Sequence, residues 1–278
     1  MTDGAQAALL PDGRLHLHHG PIDLIISAEG PACDAAFDVA RVRFGTVLEE
    51  VTAELASLTQ AYADQTGTGR IPKRMIAAVA PLADHRFVTP MAAVAGAIAD
   101  EICEGMTRGA VTKAVVNNGG DIAFFLTEGQ NFQLASPHGA IVLDASSPVR
   151  GVATSGWRGR SQSFGIADAV TVLAESAARA DAAATLIANA VDLPDHPAIT
   201  RRPAHEVEAI PQLGARHVTA DVGALSKGEI ATALEAGTRY GETLIAKGLI
   251  FGALLLLKGE TRVIGSADSA TRLPAHRS

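Results

Sequence analysis

The organisation of this chain follows from residues 150–191, RGVATSGWRGRSQSFGIADAVTVLAESAARADAAATLIANAV. A turn rich in glycine, serine and threonine (152–156) comes first, an apolar run (Ala169–Ala174) follows, and an alanine-rich helix completes the segment. The helix carries Asp181 and Thr185 four residues apart, so their side chains lie on one face, about one turn apart. A carboxylate and a hydroxyl placed in this way can direct oxygens at one point, as a hard cation such as Mg²⁺ requires.

The same two residues also have a purely structural explanation. Asp181 lies early in the helix, where the helix dipole favours a negative charge, and the Thr185 hydroxyl can bond back to its own helix. The spacing alone leaves both explanations open.

Composition predicts one globular domain with a large core. The chain has 278 residues, of which 47% are hydrophobic and 19% charged, a balance that excludes extensive disorder. We expect a single domain over residues 15–265, a flexible N-terminus over 1–14 and a flexible tail over 266–278. The net charge of −7 and the lack of a basic stripe argue against a nucleic-acid partner.

Three further features predict a cytoplasmic protein that does not enter a membrane. The first residues are acidic and poor in apolar side chains, unlike a signal peptide. The most apolar run, Leu249–Leu257, is too short to span a bilayer and predicts a buried strand. Cys33 and Cys103 form no closely spaced pair, which favours a reducing compartment.

The remaining pattern predicts hairpins separated by long helices. Leu15–Ser27 is typical of two short strands, Pro31–Ala63 of one long amphipathic helix, and Met75–Pro81 of a strand. Ser226 and Glu229 form a capping-box motif that opens a helix ending near Ala246. Strands in hairpins with helices between them predict an α+β fold with antiparallel sheets backed by long helices, rather than a doubly wound parallel sheet.

Two turns offer polar groups to a ligand. The first follows a predicted strand and permits either a plain tight hairpin or a backbone loop that closes on a flat or phosphorylated ligand. Its residues are Asn117, Asn118, Gly119, Gly120 and Asp121. The second, Thr154-Ser155-Gly156, offers hydroxyls and backbone N–H groups that can hold a phosphate. Arg158 follows it and can meet a phosphate or carboxylate in bidentate fashion, or remain a free surface arginine.

Three motifs in this order resemble the ApbE family of FAD:protein FMN transferases. They are N-x-G-G-D at 117–121, V-A-T-S-G at 152–156, and T-V-x-A-x-S-A-x-x-A-D-A-x-A-T at 171–185. A small-residue helix at Ala93–Asp100 matches more weakly. The resemblance covers about residues 75–191.

The resemblance implies an α+β fold related to the tunnelling fold, with FAD and Mg²⁺ bound and FMN moved onto a serine or threonine of a target protein. By the same resemblance, Asp181 and Thr185 would ligate the metal together with a carbonyl near Ala95. The turn residues Gly119 and Gly120, with the Thr154 turn, would line the flavin site.

One departure from the family pattern matters for chemistry. The transferases carry H-x-x-D-P between the T-S-G turn and the T-V strand, whereas this chain has Ser163–Asp168 there and no histidine. A transferase general base is therefore missing, and Asp168 or Asp121 becomes the candidate acid or base.

These observations give three hypotheses. The first is a flavin or similar aromatic or phosphorylated ligand bound with Mg²⁺, with transfer chemistry in question. The second is a different enzyme on the same scaffold, a hydrolase or ring-modifying enzyme for a small heterocycle. The third is a non-catalytic binding or assembly protein. Alanine-rich helices with few aromatic residues also suit a homo-oligomer.

Overall fold

The computed structural model of the chain describes residues 4–84, 86–136, 139–159, 161–207 and 213–265. Its strands are β1 (Gln6–Leu9), β2 (Leu15–His19), β3 (Ile22–Glu29), β4 (Lys113–Asn118), β5 (Asp121–Leu126), β6 (Asn131–Ser136), β7 (Gly139–Asp144), β8 (Gly151–Ser155), β9 (Ala169–Ala174), β10 (Ile199–Pro203), β11 (His217–Val222), β12 (Gly252–Leu257) and β13 (Glu260–Gly265). Its helices are α1 (Cys33–Phe44), α2 (Val47–Ala53), α3 (Leu55–Leu58), α4 (Arg70–Val79), α5 (Val94–Met106), α6 (Ala177–Ala190), α7 (Ala204–Val207) and α8 (Lys227–Ala246).

A long antiparallel sheet organises these elements. Its strands follow the order β1-β2-β3-β4-β5-β8-β9-β12-β13, and each neighbouring pair is antiparallel. Two shorter ribbons, β6–β7 and β10–β11, account for the other strands of the described ranges. Hairpin-connected strands with helices between them confirm the predicted α+β class.

The inner face of the sheet packs on helices α5 and α6. Alternate residues along each strand face these helices, as the period of a strand requires. Among them Leu24, Val116, Val170 and Leu255 are fully buried. Burying a side chain of this size stabilises a fold by about 1.5–3 kcal/mol, so this layer holds α5 and α6 firmly against the strands.

The opposite face of the sheet is covered in part by the β6–β7 ribbon. The Phe124 ring of β5 stacks on the Phe132 ring of β6, with 4.6 Å between centroids. Leu143 of β7 and Val152 of β8 are buried in the same cluster. The sheet therefore has a second, smaller core on the side away from α5 and α6.

The single helix predicted over Pro31–Ala63 is wrong, because the structure has α1, α2 and α3 there. One break falls at Thr46, whose hydroxyl donates to the Arg43 carbonyl at 3.1 Å, and such local bonds compete with the helical pattern. The next break falls at Glu54, whose carboxylate accepts the Gly69 backbone N–H at 2.8 Å. This contact ties the break to the start of α4.

The strand predicted over Met75–Pro81 is also wrong, because these residues belong to α4 and to the 3-10 turn Ala80–Leu82 that follows it. Ile71, Met75 and Val79 recur every four positions and are fully buried, which is the spacing of an amphipathic helix. The pattern becomes visible only when the segment is extended back to Ile71.

The helix predicted from Ser226 to Ala246 is confirmed as α8. Ser226 Oγ accepts the Glu229 N–H at 3.3 Å, and the Glu229 carboxylate accepts the Ser226 N–H at 2.6 Å, which completes the capping box. The His196 ring lies 2.9 Å from the same carboxylate and is the main reason that the pKa of Glu229 is lowered to about 2.

The ends of the chain differ from one another in what the structure describes. Residues 1–14, predicted as a flexible N-terminus, include strand β1, which pairs with β2. The predicted tail, 266–278, lies outside the described residues. Among the helices of the described ranges, none is both long enough and apolar enough to cross a membrane.

Candidate functional site

A cavity of about 230 Å³ lies where helices α5 and α6 meet the start of β5. Its wall combines acidic, polar and apolar groups, with Ala95, Asp121, Asp181, Thr185, Asn189, Phe87, Met91 and Phe164 among them. Ligand pockets usually measure roughly 300–1,000 Å³. The cavity is therefore large enough for part of a ligand, such as a ring system, rather than for a whole dinucleotide.

Helix α6 supplies three of these residues at a spacing of four. Asp181, Thr185 and Asn189 form one stripe along the helix, and all three border the cavity. Ser176 caps the helix by accepting the Arg179 N–H at 3.2 Å. The structure thus brings Asp181 and Thr185 together as their spacing indicated, and metal binding by them stays a prediction.

Asp181 is enclosed by protein except where it borders the cavity. Its Oδ2 accepts the Gly96 backbone N–H at 3.1 Å. Burial raises the pKa of Asp181 well above its usual range, and the nearby Asp121 carboxylate raises it further, while the backbone N–H groups of Gly96 and Ala95 oppose the rise. A carboxylate in this position is stabilised by a proton or by a cation.

Two neutral oxygens lie beside the carboxylates. The Thr185 hydroxyl is 3.5 Å from the Ser155 hydroxyl, so no short bond to that neighbour holds it. The Ala95 carbonyl accepts the Asn118 side-chain amide at 3.1 Å. A carbonyl oxygen has two lone pairs and can contact a second partner.

This donor set fits a hard divalent cation. Within the described ranges, no three His, Cys, Asp or Glu side chains come together at a metal-binding spacing. A cation here would therefore take the carboxylates of Asp181 and Asp121, the Thr185 hydroxyl, the Ala95 carbonyl and water. Mg²⁺ prefers oxygen ligands and keeps several waters, so it matches this set better than a soft metal ion does.

Helices α5 and α6 cap one another through two aspartates. Asp181 of α6 accepts the Gly96 N–H at the start of α5, and Asp100 of α5 accepts the Ala177 and Ala178 N–H groups, both at 2.9 Å, at the start of α6. Each carboxylate satisfies N–H groups that have no partner inside the helix. The Asp181 side chain is therefore part of a helix–helix joint as well as of the cavity wall.

The joint predicts a pH dependence of stability. Burial raises the pKa of Asp100 to about 6, although the Ala178 and Ala177 N–H groups and Arg74 oppose the rise. An acid whose pKa is higher in the folded state stabilises the fold fully below its unfolded pKa, about 4, and loses that contribution as pH rises through the folded value. The free energy of unfolding of the wild type, minus that of Asp100→Asn, should therefore fall between those two pH values and stay level above them.

Urea denaturation of both proteins in EDTA at several pH values measures this difference. Asp100→Asn keeps the shape of the side chain and removes the titration, while Glu104 and Arg74 nearby are common to both proteins. A difference that rises with pH over this window would contradict the expected sign.

The Asn117–Asp121 turn is a tight hairpin, the first of the two structures that its sequence permits. Asn118 pairs with Asp121 across the turn, and Asn117 Oδ1 accepts the Gly120 N–H at 2.8 Å. Gly119 and Gly120 have φ angles of +64° and +116°, which glycine adopts without strain. Of this turn only Asp121 borders the cavity, so a direct ligand contact by Asn117, Asn118, Gly119 or Gly120 is not what the structure places there.

The Thr154-Ser155-Gly156 turn is divided between two faces. Thr154 is exposed on the outer face of the sheet, and its hydroxyl bonds the Thr171 hydroxyl at 2.8 Å. Ser155 faces α6 and lies near Thr185. A Cβ atom on Gly156 would lie 2.5 Å from the Asp168 carbonyl oxygen, so this glycine serves close packing.

Asp168 and Arg158 bond to one another and do not border the cavity. The Asp168 carboxylate accepts Arg158 Nε–H at 2.7 Å, Trp157 Nε1–H at 3.2 Å and the Lys258 backbone N–H at 2.5 Å. These bonds join the loop after β8 to the β12–β13 hairpin. The structure therefore gives Asp168 a structural set of partners away from the candidate cation ligands.

Sequence reasoning missed the aromatic part of the wall and Asn189. Phe87 and Phe164 meet edge to face at 5.9 Å between centroids, and the Arg216 guanidinium lies 3.7 Å from the Phe87 centroid. Asn189 Oδ1 accepts the Phe164 N–H at 2.9 Å. Extending the four-residue spacing from Asp181 would have found Asn189, whereas nothing local marks Phe87 or Phe164.

Comparison with curated proteins finds relatives described as UPF0280 proteins. The chain is 42% identical to that of Methanothrix thermoacetophila over 118 residues, which are 37% of this chain and 46% of the relative. It is 30% identical to that of Methanosarcina acetivorans over 177 residues, which are 60% of this chain and 68% of the relative. The chain spans about half the length of the first of these relatives.

Comparison with solved structures finds two flavin transferases over nearly the whole chain. The apo form of the flavinyl transferase ApbE of Pseudomonas stutzeri is 14% identical with a TM-score of 0.45, and covers 97% of this chain and 98% of its own. A mutant of the flavin transferase ApbE of Vibrio cholerae is 11% identical with a TM-score of 0.49, and covers 96% and 99%.

A family model agrees with the three sequence motifs. The model, described as "AbpE bacteria", matches residues 7–263. This range includes nearly every described residue and all residues of the cavity wall. The chain therefore belongs to this bacterial ApbE-like family, as the motifs indicated.

Proposed function

We propose that the cavity binds a divalent cation, best matched by Mg²⁺, together with an aromatic heterocyclic ligand of the flavin class, FAD or FMN. The observation that supports this most is the enclosed Asp181 carboxylate, whose pKa is raised by burial and by Asp121. A buried charge of this kind requires a compensating partner, and Thr185 and Ala95 add neutral oxygens beside it.

The apolar part of the wall supports a planar ring as the second component. Phe87, Phe164 and Met91 border the cavity, and an aromatic pair gains about 0.5–1.5 kcal/mol beyond the area that it buries. Membership of the ApbE-like family makes a flavin the ring to test first.

The chemistry proposed for the site is attack on a phosphate of the ligand. A bound Mg²⁺ would supply Lewis-acid stabilisation of the phosphate charge. Asp121 borders the cavity, and its Oδ1 accepts the Thr154 N–H at 3.2 Å. We assign Asp121 the role of accepting the proton of an attacking hydroxyl or water. Asp168 has no part in this proposal, because its three donors hold it elsewhere.

Binding without transfer is a second candidate function, favoured by one observation. No histidine occurs among the described residues of the cavity wall. Phe164, from the segment that replaces the transferases' H-x-x-D-P element, borders the cavity instead. An aromatic ring can hold a ligand but cannot move a proton.

Thermal denaturation with Mg²⁺, FMN and FAD tests the proposal. Each should raise the melting temperature of the wild type. Thr185→Val should weaken Mg²⁺ binding about tenfold, since a polar contact to a charge is worth about 1.5–3 kcal/mol. Thr232→Val is the matched control, because the Thr232 hydroxyl bonds its own helix at the Gly228 carbonyl, 2.9 Å away. Equal Mg²⁺ affinity in all three proteins would exclude Thr185 as a ligand.

Product analysis separates the candidate functions. Mg²⁺-dependent release of AMP from FAD, with FMN joined to a protein hydroxyl, indicates transfer, and the same release with free FMN indicates hydrolysis. Flavin that binds and stays intact indicates a binding protein. Stabilisation by heterocyclic carboxylates, and none by flavins, would instead favour a ring-modifying enzyme. The homo-oligomer and the cytoplasmic location stay predictions.

A further inference from the structure

A second concave surface lies beside the cavity and shares Asn189 with it. This basic cleft, of about 530 Å³, is open to solvent and is formed by the end of α6, one side of α8 and the loop before α5. Arg86, Asn189, Arg239, Tyr240 and Thr243 are its polar residues that bear on ligand binding. Nothing in the family motifs refers to this surface, since α8 lies outside them.

The cleft carries two positive charges without ionic partners. Within the described part of the chain, neither Arg86 nor Arg239 lies at ion-pair distance from a carboxylate. The Asp192 carboxylate, which also borders the cleft, bonds Arg201 at 2.5 Å. Two uncompensated guanidinium groups in one cleft of a chain with net charge −7 favour an anionic occupant.

The geometry of the cleft favours a phosphate or a carboxylate. The Arg86 guanidinium lies over the Tyr240 ring at 4.0 Å from its centroid, a stacking contact that limits its freedom. The Thr243 hydroxyl adds a donor on the same side of α8. Arginine donors match the planar or tetrahedral oxygens of carboxylates and phosphates in bidentate fashion.

The cleft and the cavity are joined through one loop and one side chain. Arg86 borders the cleft and Phe87, the next residue, borders the cavity. Asn189 borders both, and the Phe164 N–H and the Ser163 hydroxyl fix its Oδ1 at 2.9 and 3.1 Å. A ligand with its ring against Phe87 is therefore one residue away from a guanidinium.

We propose that the basic cleft is an anion subsite for a phosphate or carboxylate carried by the ligand whose aromatic ring lies in the cavity. This inference rests on the proposed function for the ring. It assigns the ligand class as a heterocycle with an anionic arm, and it assigns Arg86 and Arg239 to the recognition of that arm. A ring without the arm binds more weakly.

Fluorescence titration of riboflavin and FMN, which differ by one phosphate, tests the proposal. In EDTA, where no divalent cation can hold the phosphate, the wild type should bind FMN at least about tenfold more tightly than riboflavin. Arg86→Gln combined with Arg239→Gln should remove this preference. Lys247→Gln is the matched control, because Lys247 lies on the last turns of α8, bonds Asp84 at 2.9 Å and does not border the cleft.

Inorganic phosphate, followed by ³¹P NMR, separates the cleft from the ring site. Binding to the wild type and its loss in the double variant would support the anion site, and equal binding in both proteins would overturn it. If neither flavin binds the wild type, the proposed ring function fails. Phosphate binding that depends on the two arginines would then leave an anion site for free phosphate and overturn the shared ligand. An FMN preference that survives in the double variant would overturn the role of the cleft.

Discussion

Asp181→Asn should abolish the stabilisation that Mg²⁺ gives to the wild type. The substitution keeps a side-chain oxygen for the Gly96 N–H but removes the enclosed negative charge that a hard cation requires. A ligand at one hundred times its Kd stabilises a fold by about 2.7 kcal/mol, and this whole increment should be lost. Without Mg²⁺ the variant should be close to the wild type in stability, because the charge that it removes is unfavourably buried.

Asp100→Asn is the matched control for this experiment. Asp100 is also an enclosed aspartate that caps a helix, but it does not border the cavity. Its variant should lose stability and keep the full response to Mg²⁺. Isothermal titration calorimetry and thermal melts with increasing Mg²⁺ give both quantities. If Mg²⁺ raises the melting temperature of Asp181→Asn as much as that of the wild type, the cation assignment is wrong.

Gly96→Ala should destabilise the fold by about 3 kcal/mol or more, at the upper end of what overpacking costs. A Cβ atom on Gly96 would lie 2.2 Å from the Ala177 carbonyl oxygen and 2.6 Å from the Ala178 nitrogen. Both are backbone atoms of the first turn of α6, so no side chain can rotate away. The helices α5 and α6 would have to separate, and the Asp181 contact to the Gly96 N–H would lengthen with them.

Gly105→Ala on the same helix separates the steric effect from helix propensity. A Cβ atom there would meet Val39 Cγ1 at 3.5 Å, an ordinary contact. Alanine is favoured over glycine in a helix by about 0.8–1.0 kcal/mol, so Gly105→Ala should be neutral or stabilising. Urea denaturation measures both variants. Equal stability of the two would show that the crossing of α5 and α6 tolerates a methyl group.

Local signals in the sequence predicted the elements whose stability is decided locally. The capping box of Ser226 and Glu229 gave both ends of α8, and the apolar run after Leu249 gave the strand β12. The breaks between α1, α2 and α3 could not be predicted in this way, because Glu54 leaves the helical path for Gly69, which is far away in sequence. Competition of that kind depends on the tertiary structure.

The candidate site divides along the same line. Asp181 and Thr185 were predictable because four-residue spacing on one helix fixes their relative position. Thr154 and Ser155 were predicted to act together, yet neighbouring residues of a strand point to opposite faces, and the structure separates them. Phe87 and Phe164 are 77 positions apart, and only the folded chain brings their rings to 5.9 Å.

The mutual capping of α5 and α6 has a consequence for how this chain can diverge. A substitution at Asp181 changes the start of α5, and a substitution at Asp100 changes the start of α6. Homologous chains that lose one aspartate should therefore also show exchanges at Gly96, Ala177 or Ala178, which lie at the same crossing. Correlated drift at these positions would mark a lineage that has given up the cation, whereas independent drift would mean that each helix start is maintained by other means.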